Sequence, residues 1–226
     1  MAAVEKTGKD FWGPPFWELI HLLSYVTPHD KKTQYVKFIG LVSKVLPCEM
    51  CKRNLVAKID QVPPTKFLQS QKQTLYYSYV IHDMANQQIT KYYSTNPPKI
   101  SPQISTVYKK YAELARDNTK KRTVVWHVWH VLATTLKYDN GYLFRDFIRC
   151  VINIMDDPTF AEHVNAFLNA VPIEPYLRNN HDAFLYSYLL HQYTNKKLKA
   201  NELIKYVPFK NFYFKSLKEE CNDCKI

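Results

Sequence analysis

Two pairs of cysteines carry the chemistry this chain could do: Cys48-Glu49-Met50-Cys51 and Cys221-Asn222-Asp223-Cys224. Cysteines three apart on one helical turn can reach each other and close a disulfide. A thiolate can attack that disulfide, so such a pair can accept electrons from a substrate dithiol. Pro47 precedes the first pair in the position of a first-turn proline, which predicts a helix from Cys48 to Ile59. Amides at the start of that helix would favour the thiolate of its first cysteine. A thioredoxin-like protein would use the same spacing within a βαβ pattern, and no such pattern is present. The rival chemistry is zinc, with Cys48, Cys51, Cys221 and Cys224 as four thiolate ligands. Roughly 170 residues separate the two pairs, far beyond the spacing of zinc modules. The fifth cysteine, Cys150, falls on an apolar helix face and reads as a buried thiol.

The elements that must position these residues repeat. Trp17 and His21 recur as Trp126 and His130, an offset of 109 residues. Phe38-Ile39 and Val42 recur as Phe147-Ile148 and Val151, and Val62-Pro63 as Val171-Pro172. Tyr77-Ser78-Tyr79, His82 and Asn86 recur as Tyr186-Ser187-Tyr188, His191 and Asn195, all in the same register. Shared helical periodicity explains matched leucine and valine, but not matched Trp, His and Asn, so a duplication is expected. The reading divides the chain into residues 1–98, a linking helix within 99–118, a second lobe over 119–208, and a basic tail over 209–226. In the first lobe the apolar period predicts helices over 16–25, 35–46, 48–59 and 75–89, with the linking helix at 107–115. Only four glycines and thirteen prolines, several of them paired between apolar runs, also favour short helices broken by stiff connections. The fold class is therefore all-α, with a small four-helix bundle per lobe.

Three segments resemble one known family. Trp12-Gly13-Pro14-Pro15-Phe16-Trp17-Glu18-Leu19-Ile20-His21 is similar to the W-G-P-x-x-W-x-x-L-H opening of the Erv/ALR family of FAD-linked sulfhydryl oxidases. Pro47-Cys48-Glu49-Met50-Cys51 resembles its P-C-x-x-C, and His82-Asp83-Met84-Ala85-Asn86 followed by Lys91 its H-N-x-V-N with a later lysine. The resemblance implies a bundle that holds FAD at its mouth. Cys48 would be the outer cysteine met by the client thiol, and Cys51 would lie against the flavin. Trp12, Gly13, Trp17, His21, Tyr25, His82, Asn86 and Lys91 would line the cofactor. It further implies thiol clients, oxygen as acceptor, hydrogen peroxide as product, and a shuttle role for Cys221 and Cys224. A homodimer, or two lobes imitating one, would be the assembly.

Departures accompany the resemblance. Asp83 replaces the family's first asparagine, which puts one cofactor hydrogen bond in question, and no cysteine lies between Cys51 and Cys150 to form the family's extra structural disulfide. At the shared offset Cys48 becomes Asp157, Cys51 becomes Phe160 and Gly13 becomes Arg122, so the second lobe is expected to hold no flavin.

Net charge is +11, but the basic residues are scattered in short runs, so specific nucleic-acid recognition is not expected. No apolar run approaches the ~20 residues of a membrane span, and residues 1–10 lack the apolar stretch of a signal peptide. The expected place is the cytoplasm, a viral factory or a virion, because the composition and the duplication suggest by analogy a large cytoplasmic DNA virus of the mimivirus kind. The alternative to an oxidase is a non-enzymatic basic binding protein with a zinc site or idle cysteine pairs.

Overall fold

The computed structural model describes residues 7–93, 98–137, 141–200 and 204–217. Among these residues every regular element is helical. The first lobe is built from α1 (Gly8–Val26), α2 (Lys32–Val45), α3 (Glu49–Gln61) and α4 (Gln71–Tyr93). The linking helix α5 (Ile104–Leu114) follows. The second lobe comprises α6 (Asn118–Thr134), α7 (Gly141–Ile154), α8 (Pro158–Ala170) and α9 (Asn180–Lys197), and α10 (Tyr206–Ser216) ends the described chain. No described helix is long and apolar enough to cross a membrane.

Helix ends depart from the sequence expectation in informative ways. α1 begins eight residues before the expected Phe16 and carries Pro14 and Pro15 inside it, past the first turn, so the helix continues although both residues lack the N–H that would bond four residues back. Pro47 lies outside α3 rather than in its first turn: Leu46 and Cys48 are both extended, as the clash between a proline ring and the residue before it favours. Cys48 is thus the N-cap, and its sulfur accepts the Cys51 amide. Residues 206–216, partly assigned to a tail by sequence, form a helix that packs on α6.

The helix packing of the second half parallels that of the first. α1 packs on α4 and α3 on α4, while α6 packs on α9 and α8 on α9. The lobes meet through equivalent surfaces, α2 against α7 and α1 against α6. Phe38 faces Phe147, its own counterpart at the 109-residue offset, with ring centroids 5.7 Å apart. Contact between residues at equivalent positions is the pattern that a two-fold arrangement produces. The core runs continuously through both lobes, with Leu19, Phe38, Val42, Val128, Phe147 and Val151 fully buried. Cys150 is buried near this interface, its thiol directed at the Gln34 carbonyl at 3.6 Å, and burial pushes that thiol up to about 11.

Candidate functional site

The site of lobe one assembles where α1, α3, α4 and α5 converge. α1 presents Trp17 and His21 one turn apart, and α4 presents Ser78, His82 and Asn86 on one face, since residues four apart stack along a helix. The Trp17 and His82 rings stack at 4.2 Å with 6° between their planes. His21 Nδ1 meets Ser78 Oγ at 2.7 Å, and His21 Nε2 meets His82 Nδ1 at 3.0 Å. Ser78 donates its hydroxyl proton to the Leu75 carbonyl at 2.8 Å. The network then runs one way: His82 Nδ1–H donates to His21 Nε2, and His21 Nδ1–H donates to Ser78. His21 must be neutral for this chain to close, because its Nε2 accepts. Burial, aided by the neighbouring His82, holds His21 at about 3. Burial also holds His82 at about 4, against an opposing pull from Asp83. The remaining nitrogen of His82, Nε2, is left as an acceptor.

Tyr111 of α5 stacks on His21 at 5.2 Å, and Lys110 anchors the same helix to Glu18 at 2.9 Å. Sequence reasoning read α5 as a linker and missed Tyr111; its signal was a buried tyrosine position, Val107 and Tyr111 being the helix's apolar stripe. Asn86 donates to Ser101 Oγ at 3.0 Å. Tyr25 lies edge-on to Tyr108. Trp12 is buried in the core against Phe16, apart from the Trp17–His82 stack. Lys91 is exposed in the last turn of α4.

The cysteine pair sits at the amino end of α3. The Cys48 and Cys51 sulfurs are 2.7 Å apart, and the Cys51 amide donates to the Cys48 sulfur at 3.2 Å. That amide and the helix end together stabilise negative charge on Cys48. Cys48 is buried and Cys51 half-buried. Lys58, two turns along α3, is 8% exposed and donates to the Asn54 carbonyl and to Gln88. Burial lowers its pKa while the charge of Cys51 raises it, which ties this ammonium electrostatically to the cysteine pair. Cys221 and Cys224 lie outside the described residues. Among the described residues no three His, Cys, Asp or Glu side chains cluster as a metal site.

Lobe two repeats the geometry and closes it. Trp126 stacks on His191 at 4.2 Å, and His130 bridges His191 at 3.0 Å and Ser187 at 2.9 Å. Asp157 is the N-cap of α8 in the place of Cys48, accepting the Phe160 amide at 3.1 Å. Arg122, in the place of Gly13, grips that carboxylate through Nε at 2.7 Å and Nη2 at 3.0 Å. Phe160, in the place of Cys51, packs edge-on to Trp126 at 5.4 Å. Phe209 and Tyr213 of α10 cover His130 at 4.8 and 5.3 Å. Trp126, His191 and Asn195 are consequently buried, whereas Trp17, His82 and Asn86 are only half-buried. Lobe one has no side chain at Gly13, where even a Cβ would meet only Lys9 Cγ at 3.8 Å.

The Erv1 / Alr family model matches residues 14–105. The match starts within α1, contains the cysteine pair and the histidine–tryptophan cluster, and ends at the start of α5. It leaves lobe two outside. No curated protein and no solved structure matches the chain. Likeness to the Erv1 / Alr family brings sulfhydryl oxidation with FAD as the general activity and cofactor of such proteins. The residues of lobe one are compatible with that cofactor: Gly13 has no side chain, and the stacked Trp17 and His82 rings and Asn86 are half-buried rather than sealed.

Proposed function

We propose that the chain is an FAD-linked thiol oxidase that forms disulfides in client proteins and passes the electrons to oxygen. The observation that carries this reading is the contrast between the lobes. The same Trp–His–His–Ser framework stands twice, half-open beside a cysteine pair in lobe one, and plugged by Arg122, Asp157 and Phe160 in lobe two.

In its oxidised form the pair is the Cys48–Cys51 disulfide. A client thiolate attacks the Cys48 sulfur, the disulfide breaks, and Cys51 leaves as thiolate with the bonding electron pair. The client's second thiolate then attacks the client sulfur of the mixed disulfide and releases Cys48. The client gains a disulfide and the pair holds two electrons. The α3 amino end and the Cys51 amide stabilise Cys48 as leaving group, and buried Lys58 stabilises charge on Cys51. Bound FAD would supply the two-electron acceptor that returns the pair to the disulfide and gives the electrons to oxygen, yielding hydrogen peroxide. Trp17, His82 and Asn86 would hold it, and Lys91 would offer a cation to its phosphates. The neutral His21–His82 chain keeps a fixed acceptor, His82 Nε2, rather than a cation at the mouth.

Purified protein is expected to show a flavin absorbance band with one flavin per chain. Cys51→Ser should retain the flavin and lose turnover of dithiothreitol. Colourless protein, or full turnover by Cys51→Ser, would refute the assignment.

A further inference from the structure

Between the lobes lies a groove lined in part by Pro47 and Glu49, the two chain neighbours of Cys48. Leu46, Leu132 and Phe144 form its apolar floor. Its rim carries Lys44 from α2, Glu49 and Lys52 from the first turn of α3, and Lys137 from the segment after α6. Glu49 and Lys52 occupy the face of that turn next to Cys48 and Cys51, within the few ångströms that separate neighbouring side chains of one helical turn. Lobe two thus supplies one wall of a groove whose other wall includes Pro47 and Glu49, on either side of Cys48 in the chain.

Charge gives the groove a direction. Glu49 is joined to Lys52 at 2.6 Å, and its carboxyl is held below the usual range first by Lys52, with Lys137 contributing from the other lobe. Lys44 and Lys137 make no ion pair among the described residues, and both are exposed. The two-fold relation between the lobes provides an internal comparison. At the 109-residue offset Lys44 corresponds to Asn153, Lys52 to Ala161 and Lys137 to Pro28. Every lysine of this rim is replaced by an uncharged residue on the side without cysteines. A basic rim confined to the cysteine side is unlike a generally solvated basic surface, and it matches an anionic occupant.

Resting on the oxidase reading, we propose that this groove docks an extended acidic segment of a client polypeptide, so that a cysteine beside the segment reaches Cys48. Apolar side chains of the segment meet the floor, and its carboxylates meet Lys44 and Lys137 on opposite walls. Lobe two, which carries no cysteine pair of its own among the described residues, then contributes to client choice through Leu132, Lys137 and Phe144.

The test compares full-length protein with the Lys44→Glu, Lys137→Glu double variant on three substrates: dithiothreitol, a Cys-x-x-Cys peptide flanked by Asp and Glu, and the same peptide flanked by Ser and Asn. The expected result is a roughly tenfold fall in kcat/KM for the acidic peptide alone, since two exposed charge pairs of modest worth are reversed. The wild-type preference for the acidic peptide should also fade as salt is raised. Unchanged acidic-peptide kinetics, or an equal fall for both peptides, would overturn the proposal. So would loss of the charge effect on deleting residues 218–226, since the groove would then serve the chain's own Glu219, Glu220 and Asp223. Peptide binding is read separately, by fluorescence anisotropy of the acidic peptide with both cysteines replaced by serine. Tight binding to wild type and weak binding to the variant supports the groove even if dithiothreitol is not oxidised, an outcome that would sink only the oxidase reading. Equal binding to both proteins overturns the groove.

Discussion

Replacing Asp157 in lobe two should cost more stability than most substitutions in the chain. Its side chain is 2% exposed and that of its partner Arg122 19% exposed, with two short hydrogen bonds between them. Removing one member of a buried pair strands the other and costs about 3–5 kcal/mol. The partial exposure of Arg122 puts Asp157→Asn at the low end, about 3 kcal/mol. Asn can still cap α8 by accepting the Phe160 amide, so Asp157→Ala should lose about a further 1 kcal/mol. With Arg122 already replaced by Met, Asp157→Asn should cost about 1 kcal/mol or less, because no guanidinium remains to be stranded. Urea unfolding followed by far-ultraviolet circular dichroism, with midpoints compared at equal slope, measures wild type, the three single variants and the double variant. A cost below about 1 kcal/mol for Asp157→Asn would contradict the reasoning, as would single costs that simply add in the double variant. Flavin content should stay constant throughout, since the pair lies in the other lobe.

Acid should destabilise the fold through its histidine chains. Burial lowers His21 and His191 to about 3 and His82 to about 4, from an unfolded value near 6.5. Because the folded values are depressed, the stability they represent is full above about pH 6.5 and is lost as pH falls towards the folded values. Each should lose about 2 kcal/mol between pH 7 and pH 5; equal unfolding midpoints at these two pH values would exclude the neutral chains. His82→Ala and Asn86→Ala should weaken flavin retention while His191→Ala and Asn195→Ala leave it unchanged, checked by absorbance after gel filtration; two flavins per chain would reverse the assignment of the lobes. Cys221→Ser with Cys224→Ser should slow oxidation of a protein client and spare dithiothreitol turnover, and unchanged client rates would show that this pair carries no electrons.

Much of the fold could be read in the chain itself. The 109-residue register matched Trp, His and Asn as well as apolar residues, and helical spacing then put His82 and Asn86 on one face. The cluster of Trp17, His21 and His82 follows from two local periodicities and one packing contact, α1 on α4, so little could intervene between sequence and site. Helix limits were less legible. Pro14 and Pro15 look like breakers in a linear reading, yet α1 runs through both, with Phe11 and Trp12 before them and Phe16 and Leu19 after them buried in one core.

The sequence by itself determined the all-helical class, the repeat and the cysteine pair at a helix start, because these depend on residues within a turn or two of each other. Tertiary structure alone decided how Arg122 meets Asp157, 35 residues away, and how Phe209 and Tyr213 cover His130. It alone set Tyr111 against His21, buried Lys58 against Gln88 of α4, and placed Lys44 and Lys137 on one groove. Each of these depends on which faces of distant helices meet. That choice is made by apolar burial summed over the whole core, which no local pattern contains.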